Sequence, residues 1–185
     1  MAVAERRRRL IEIVAEKSLS TGTVRALASG RSSAFYFDMK PTIFDPEAAN
    51  LIAEMILERL RDRQVDFVGG LEMGAVPLVA CVCQASYPGR PIRGFFVRKQ
   101  AKDHGTQRLV EGIGPEALKG RTAVLLEDVS TTAGSVLKAV RAARAEGAVV
   151  DTVVTVVDRL EGAEANLAAE GLRLEALLTT RDFAI

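Results

Sequence analysis

Apolar positions along this chain follow two rhythms, a helical one near the start and an almost unbroken strand-like one further on. Ile11, Val14 and Ala15 make a helix-spaced stripe among charged neighbours, which predicts an amphipathic first helix with a solvated face. Residues 24–40 are irregular, partly alternating and aromatic, and are punctuated by Ser29 and Gly30. Asp45, Pro46 and Glu47 then mark a helix start: Asp45 can cap, and Pro46 is preorganised for the first helical position. Leu51, Ile52, Met55, Ile56 and Leu60 give that helix one buried face, up to about Arg63.

Beyond this point short apolar runs alternate with helical patterns. Strands are predicted over 65–69, 92–97, 122–126, 149–157 and 172–178, with helices over 76–85, 134–146 and 161–170. Runs that scarcely alternate belong to strands covered on both faces, so the pattern implies a doubly wound α/β fold. Its sheet is mostly parallel, of about five strands flanked by helices, with ligands expected beyond the strands' carboxyl ends. The first 40 residues form a small N-terminal cap on residues 41–185. Residues 99–112 break the rhythm; so long a polar connection inside a compact domain is a functional lid or a disordered excursion.

Composition narrows the functional classes. The chain has 185 residues, 48% of them hydrophobic, enough for one domain with a sizeable core. Its 25 basic and 24 acidic side chains leave a net charge of +1, which offers no general field for nucleic acid or an acidic membrane. Anions must therefore be held by local arrangement. No apolar stretch is long enough to span a membrane. Arg6 to Arg9 are followed by no apolar signal core, so they read as a solvated helix face. Cys81 and Cys83 lie in an apolar run without metal-ligand partners and read as small buried core residues, which suits a reducing cytoplasm.

The chemistry concentrates in two places. In the first, an apolar strand ends in Glu127 and Asp128, followed by Val129, Ser130, Thr131, Thr132, Ala133, Gly134 and Ser135 at a helix start. Small residues let successive N–H groups converge on a phosphate, and the helix dipole favours the anion. The two acids can accept hydrogen bonds from ribose hydroxyls or sit near a hydrated Mg²⁺. No Gly-Lys-Ser/Thr follows, so this is not a Walker loop. In the second place, Arg98, Lys99 and Lys102 surround His104, the chain's one histidine. Such a cationic loop suits a leaving group whose negative charge grows, with His104 able to donate a proton or hydrogen bond.

The stretch from Glu127 to Ser135 resembles the phosphoribosyl-diphosphate motif of type I phosphoribosyltransferases, with Ala133 where glycine is frequent. Arg98-Lys99-x-x-Lys102-Asp103-His104-Gly105 resembles, more specifically, the catalytic loop of the orotate phosphoribosyltransferase family. Three further segments extend the resemblance over almost the whole chain. They are the run from Ser29 to Asp38, the glycine-rich Gly69 to Pro77, and Asp158-Arg159 after a strand. The resemblance implies one phosphoribosyltransferase domain over 1–185 and Mg²⁺-dependent transfer of ribose 5-phosphate from phosphoribosyl diphosphate to orotate N1. The products would be orotidine 5'-phosphate and diphosphate, in pyrimidine (UMP) synthesis.

It also implies roles. Arg98, Lys102, His104 and Asp128 would be catalytic. Phosphoribosyl diphosphate would lie on Arg98, Lys99, Lys102, His104, Glu127 and Asp128, and on Val129, Ser130, Thr131, Thr132, Ala133, Gly134 and Ser135. Orotate would sit among Tyr36, Phe37, Thr131 and Arg159, whose guanidinium matches a carboxylate bidentately. Mg²⁺ would ride on the diphosphate near Asp128, with no side chain assigned as its direct ligand. In the family the loop, here 99–112, reaches into the partner subunit of a homodimer. Two departures stand out: Ala28 and Gly74 occupy positions where members carry lysine, so Arg25, Lys40 or Lys99 would compensate. A purine-specific transferase would have no need of a carboxylate-reading Arg159, and a nucleic-acid-binding regulator would call for a basic face.

Overall fold

The computed structural model describes residues 1–26, 32–100 and 108–185, with side chains left undescribed at 23–26 and 32–34. Strands β3 (Phe67–Gly69), β4 (Arg93–Gly94), β7 (Thr122–Ser130), β8 (Val149–Asp158) and β9 (Arg173–Thr179) form one sheet in the order β4-β3-β7-β8-β9. All four pairings are parallel. The doubly wound α/β expectation holds. Because the chain runs one way from β3 to β4 and the other way from β7 onward, the sheet has its switch point between β3 and β7.

Alternation along the strands builds two cores. Val124 and Leu126 of β7 face the cluster made with helices α1 (Val3–Lys17), α3 (Pro46–Arg59) and α4 (Ala75–Ser86). Ala123 and Leu125 face the other cluster, with α5 (Gly134–Ala145) and α6 (Ala163–Ala168). Burial on both faces is why these strands read as continuous apolar runs. Helix α3 starts as expected: the Asp45 carboxylate accepts the Ala48 N–H at 3.0 Å, and Pro46 is the first helical residue.

Several sequence expectations need correction. The segment after α1 is not irregular: β1 (Leu19–Ala26) and β2 (Ser32–Phe37) form an antiparallel hairpin. Its polar first strand lacks the apolar content that would announce it. The run 92–97 is two strands. Phe95, between β4 and β5 (Phe96–Val97), buries its ring beneath Gly69, where an added Cβ would lie 2.3 Å from it. After this insertion β5 leaves the main sheet and pairs antiparallel with β6 (Val110–Glu111), inside the stretch expected to be loop. The strand carrying the acids runs four residues further than 126, since Ser130 still pairs with Asp158.

On α1, Leu10, Ile13 and Val14 are the buried residues; Ile11 is half-buried and Ala15 exposed. The arginine run is tied down internally: Arg6 pairs with Glu54 at 3.2 Å, Arg7 with Asp182 at 2.7 Å and Arg9 with Glu47 at 2.7 Å. Cys81 and Cys83 are half-buried rather than core residues, because they flank the α4 stripe of Leu78, Val79 and Val82. Burial nonetheless raises both thiol pKa values.

The loop after β3 passes so close to β7 that a Cβ on Gly70 would lie 2.5 Å from the Leu126 carbonyl oxygen and 2.3 Å from the Ala75 Cβ. Overpacking of this kind costs about 1–3 kcal/mol, so Gly70→Ala should lower the urea midpoint accordingly. A midpoint equal to wild type would mean that the loop backs away freely.

Candidate functional site

The carboxyl ends of β3, β5, β7 and β8 meet at the switch point, and each delivers part of the site. From β7 come Glu127 and Asp128. From the loop after β3 comes Gly74, where a Cβ would lie 2.5 Å from an Asp128 carboxylate oxygen. A side chain at position 74 would therefore meet the Asp128 carboxylate and require it to move. The Lys99 N–H donates to the Glu72 carboxylate at 2.8 Å, and Val97 and Leu71 bridge in parallel, so β5 holds the basic segment against the glycine-rich loop. Lys40, Lys99, Gly74, Pro77 and Asp128 line one cavity of about 290 Å³. Two of the three cations proposed as compensation thus meet there; the Arg25 side chain lies outside the described residues. Lys40 is paired with Asp38 at 2.6 Å, and that hydrogen bond raises its pKa.

A second cavity has a volume of about 260 Å³. Glu127, Val129, Ser130, Thr131, Thr132, Ala133, Gly134, Ser135 and Lys138 line it at the start of α5. The backbone turns into the helix through Ala133, whose φ of 63° is left-handed and explains why glycine is frequent there. Asn166 donates to the Thr132 carbonyl at 3.0 Å and so ties α6 to the turn. Lys138 was not legible as a site residue, because one lysine on an amphipathic helix looks like any solvated side chain. Its spacing from Gly134, one helical turn, was the available signal.

Both acids are half-buried at the strand end. Burial, then the nearby Asp128 charge, pushes the Glu127 pKa up to about 8, with Lys99 opposing. One Glu127 carboxylate oxygen is buried without a hydrogen-bond partner among the described residues. Asp128 is also raised by burial, although its carboxylate accepts the Val129 N–H at 2.9 Å. Groups desolvated in this way are poised to accept hydrogen bonds from ligand hydroxyls.

Arg159 follows β8 directly, its N–H donating to the Ser130 carbonyl at 2.9 Å. Its guanidinium carbon lies 4.5 Å from the centre of the Phe35 ring, and it pairs with Glu161 at 2.7 Å. Phe35, Arg159, Glu161, Thr180, Arg181 and Phe183 line a third cavity, of about 540 Å³. Phe37 does not line it. It is 5% exposed and packs on Phe35 and Phe183, with ring centres 5.9 and 5.2 Å away. Phe35, not singled out from sequence, takes the place over Arg159; strand alternation sets it on the Phe37 side of β2 and Tyr36 on the other. Lys102 and His104 lie outside the described residues, as do Ser29, Gly30 and Arg31. Among the described residues no group of three or more His, Cys, Asp or Glu could hold a metal ion.

Residues 42–171 match the phosphoribosyl transferase domain family. The orotate phosphoribosyltransferase of Bradyrhizobium sp. (strain BTAi1) is 49% identical over 185 residues, covering 99% of this chain and 100% of that relative. The chain belongs to the orotate phosphoribosyltransferase family. Among solved structures, the Mycobacterium tuberculosis H37Rv orotate phosphoribosyltransferase in complex with Fe(III) dicitrate superposes with a TM-score of 0.84 at 39% identity, over 97% of this chain and 99% of that one. The same enzyme in complex with 5-phospho-alpha-D-ribosyl 1-diphosphate gives 0.80 at 36%, over 97% and 99%. Phosphoribosyltransferase chemistry accounts for acids and a small-residue turn at one strand end.

The raised Glu127 pKa makes a stability prediction with a definite sign. A carboxyl whose folded pKa lies above its unfolded value contributes fully only below the unfolded pKa, near 4.5, and that contribution is lost as pH rises through about 8. Glu127→Gln cannot ionise. Thermal unfolding from pH 5 to 9 should therefore find the variant gaining on wild type as pH rises. Parallel curves would refute the buried ionisation.

Proposed function

We propose that the chain transfers ribose 5-phosphate from phosphoribosyl diphosphate to N1 of orotate, releasing diphosphate and orotidine 5'-phosphate. The observation that carries this reading is the meeting, at one sheet edge, of the half-buried Glu127–Asp128 pair with the cradle at α5 and with Arg159 one strand away. The 5-phosphate would sit on the N–H groups and hydroxyls of residues 131–135, where the α5 dipole favours it. Glu127 and Asp128 would accept the ribose hydroxyls and, once ionised, stabilise positive charge developing at C1. Arg98, Lys99, Lys102 and His104 would draw off the diphosphate, with Lys40 beside them. Orotate would lie among Tyr36, Thr131 and Arg159, with Phe37 backing the wall from the core. Holding both substrates in line and excluding water supplies most of the rate.

Mg²⁺ fits as a passenger on diphosphate oxygens, with Asp128 the nearby carboxylate of the cavity that Lys40 and Lys99 line. Bound there, it would neutralise part of the leaving group's charge. The setting would be the cytoplasm, where Cys81 and Cys83 stay reduced; among the described residues no helix is long and apolar enough to cross a membrane.

Mixing the protein with orotate, phosphoribosyl diphosphate and Mg²⁺ and following orotate absorbance tests the activity, and no absorbance change would refute it. Arg159→Ala should lose about 2–4 kcal/mol in kcat/KM for orotate while leaving the phosphoribosyl diphosphate KM nearly unchanged. Equal damage to both substrates would remove Arg159 from the orotate side.

The loop at 99–112 would act on the partner's substrates in a twofold homodimer. Lys102→Ala would damage only the loop and Asp128→Asn only the cradle. About half the dimers in a random mixture are heterodimers with one site free of both defects, so mixing two nearly inactive variants should restore about a quarter of wild-type activity. If proven subunit exchange restores nothing, the loop serves its own subunit.

A further inference from the structure

One nitrogen of the Arg159 guanidinium already faces a carboxylate of the chain itself. The Arg159 side chain is 3% exposed, covered on one face by the Phe35 ring and on its edge by Glu161, at 2.7 Å. Glu161 is 22% exposed and sits two residues further along, on the turn between β8 and α6. That turn is fixed at its root: the Asp158 carboxylate accepts the Leu160 N–H at 2.9 Å, and Leu160 is left-handed at φ 59°. A guanidinium grips a carboxylate best through two adjacent nitrogens, and a second carboxylate cannot do so through the Nη2 that Glu161 holds. Resting on the reading of Arg159 as the partner of orotate, we propose that Glu161 is an internal stand-in for the substrate carboxylate. It keeps Arg159 neutralised and aligned in the free protein and must leave when the substrate arrives.

Glu161 is thus a positioning and selectivity residue. A buried guanidinium without a counter-charge is costly, so the pair stabilises the empty pocket. A pyrimidine lacking a carboxylate cannot replace what Glu161 supplies and would strand Arg159 on entering, whereas orotate exchanges one carboxylate for another. The acid therefore sharpens the choice for a carboxylated ring and weakens apparent orotate affinity by the fraction of time that the slot is closed.

The test is Glu161→Gln, similar in shape but uncharged, with steady-state kinetics in orotate and in phosphoribosyl diphosphate. If the slot is open about 10–30% of the time, its release should lower the orotate KM by about three- to tenfold. The phosphoribosyl diphosphate KM, measured alongside, should stay put. Glu161→Asp, which retracts the carboxylate by one methylene, should shift the orotate KM the same way by less, and serves if the glutamine variant folds poorly. An orotate KM that rises or stays constant in both variants overturns the proposal, since an acid that merely props Arg159 in place would raise it on removal. If Arg159→Ala also spares the orotate KM, the failure lies in the assignment of Arg159 itself and not in Glu161.

Discussion

Two half-buried carboxyl groups at a strand end organise this molecule. Glu127 and Asp128 stand near the end of the central strand, beside the switch point, and burial raises both pKa values. The backbone around them is shaped to leave them there. Gly74 carries no Cβ where one would strike Asp128, and Gly70 none where one would strike the Leu126 carbonyl. On the other side Ala133 accepts a left-handed conformation so that α5 can begin immediately beyond the acids. These features bring the strand end, the glycine-rich loop and the helix start together at one edge of the sheet.

The parallel sheet makes that convergence available from distant parts of the chain. Every strand of the main sheet points its carboxyl end to one edge, so β3, β7 and β8 deliver the glycine-rich loop, the acids with the cradle, and Arg159 side by side. The remaining elements fix this edge from outside. The β1–β2 hairpin places Phe35 against Arg159, and α1 is bound to α3 through Arg6–Glu54 and to the chain's end through Arg7–Asp182. Half-buried ion pairs of this kind contribute modestly one by one, and their main effect is to set orientation.

Much of this was legible in the sequence. The five main strands and their helices follow from apolar runs and from caps such as Asp45, because two-sided burial leaves a strong pattern. What escaped did so for identifiable reasons. The hairpin's first strand is short of apolar residues, and β5 and β6 are two residues each, below the length at which a period exists. Phe37 was placed at the ligand by motif, while strand phase turns its ring into the core against Phe183 and leaves Phe35 over Arg159. The pKa of Glu127 depends on what surrounds it in space, and no local spacing encodes that. The departure at Gly74 reads as a lost cation in sequence; in three dimensions it also leaves the Asp128 carboxylate uncrowded.

The charges of the site follow a common rule. Lys40 is held by Asp38 and Arg159 by Glu161, so two cations suited to anionic substrates are each paired with an acid of the chain itself. Glu127 has the opposite solution: lacking a partner for one oxygen, it is pushed towards the neutral form. A cleft made for a diphosphate, a phosphate and a carboxylate would otherwise hold strong unbalanced fields when empty, which destabilise a fold whose whole margin is a few kcal/mol. On the proposed reading, substrate binding would become an exchange of ion-pair partners at these cations. Such exchange gains less affinity than filling a bare charged pocket, but it discriminates sharply, because a ligand missing one charge leaves one of the chain's own groups unpaired.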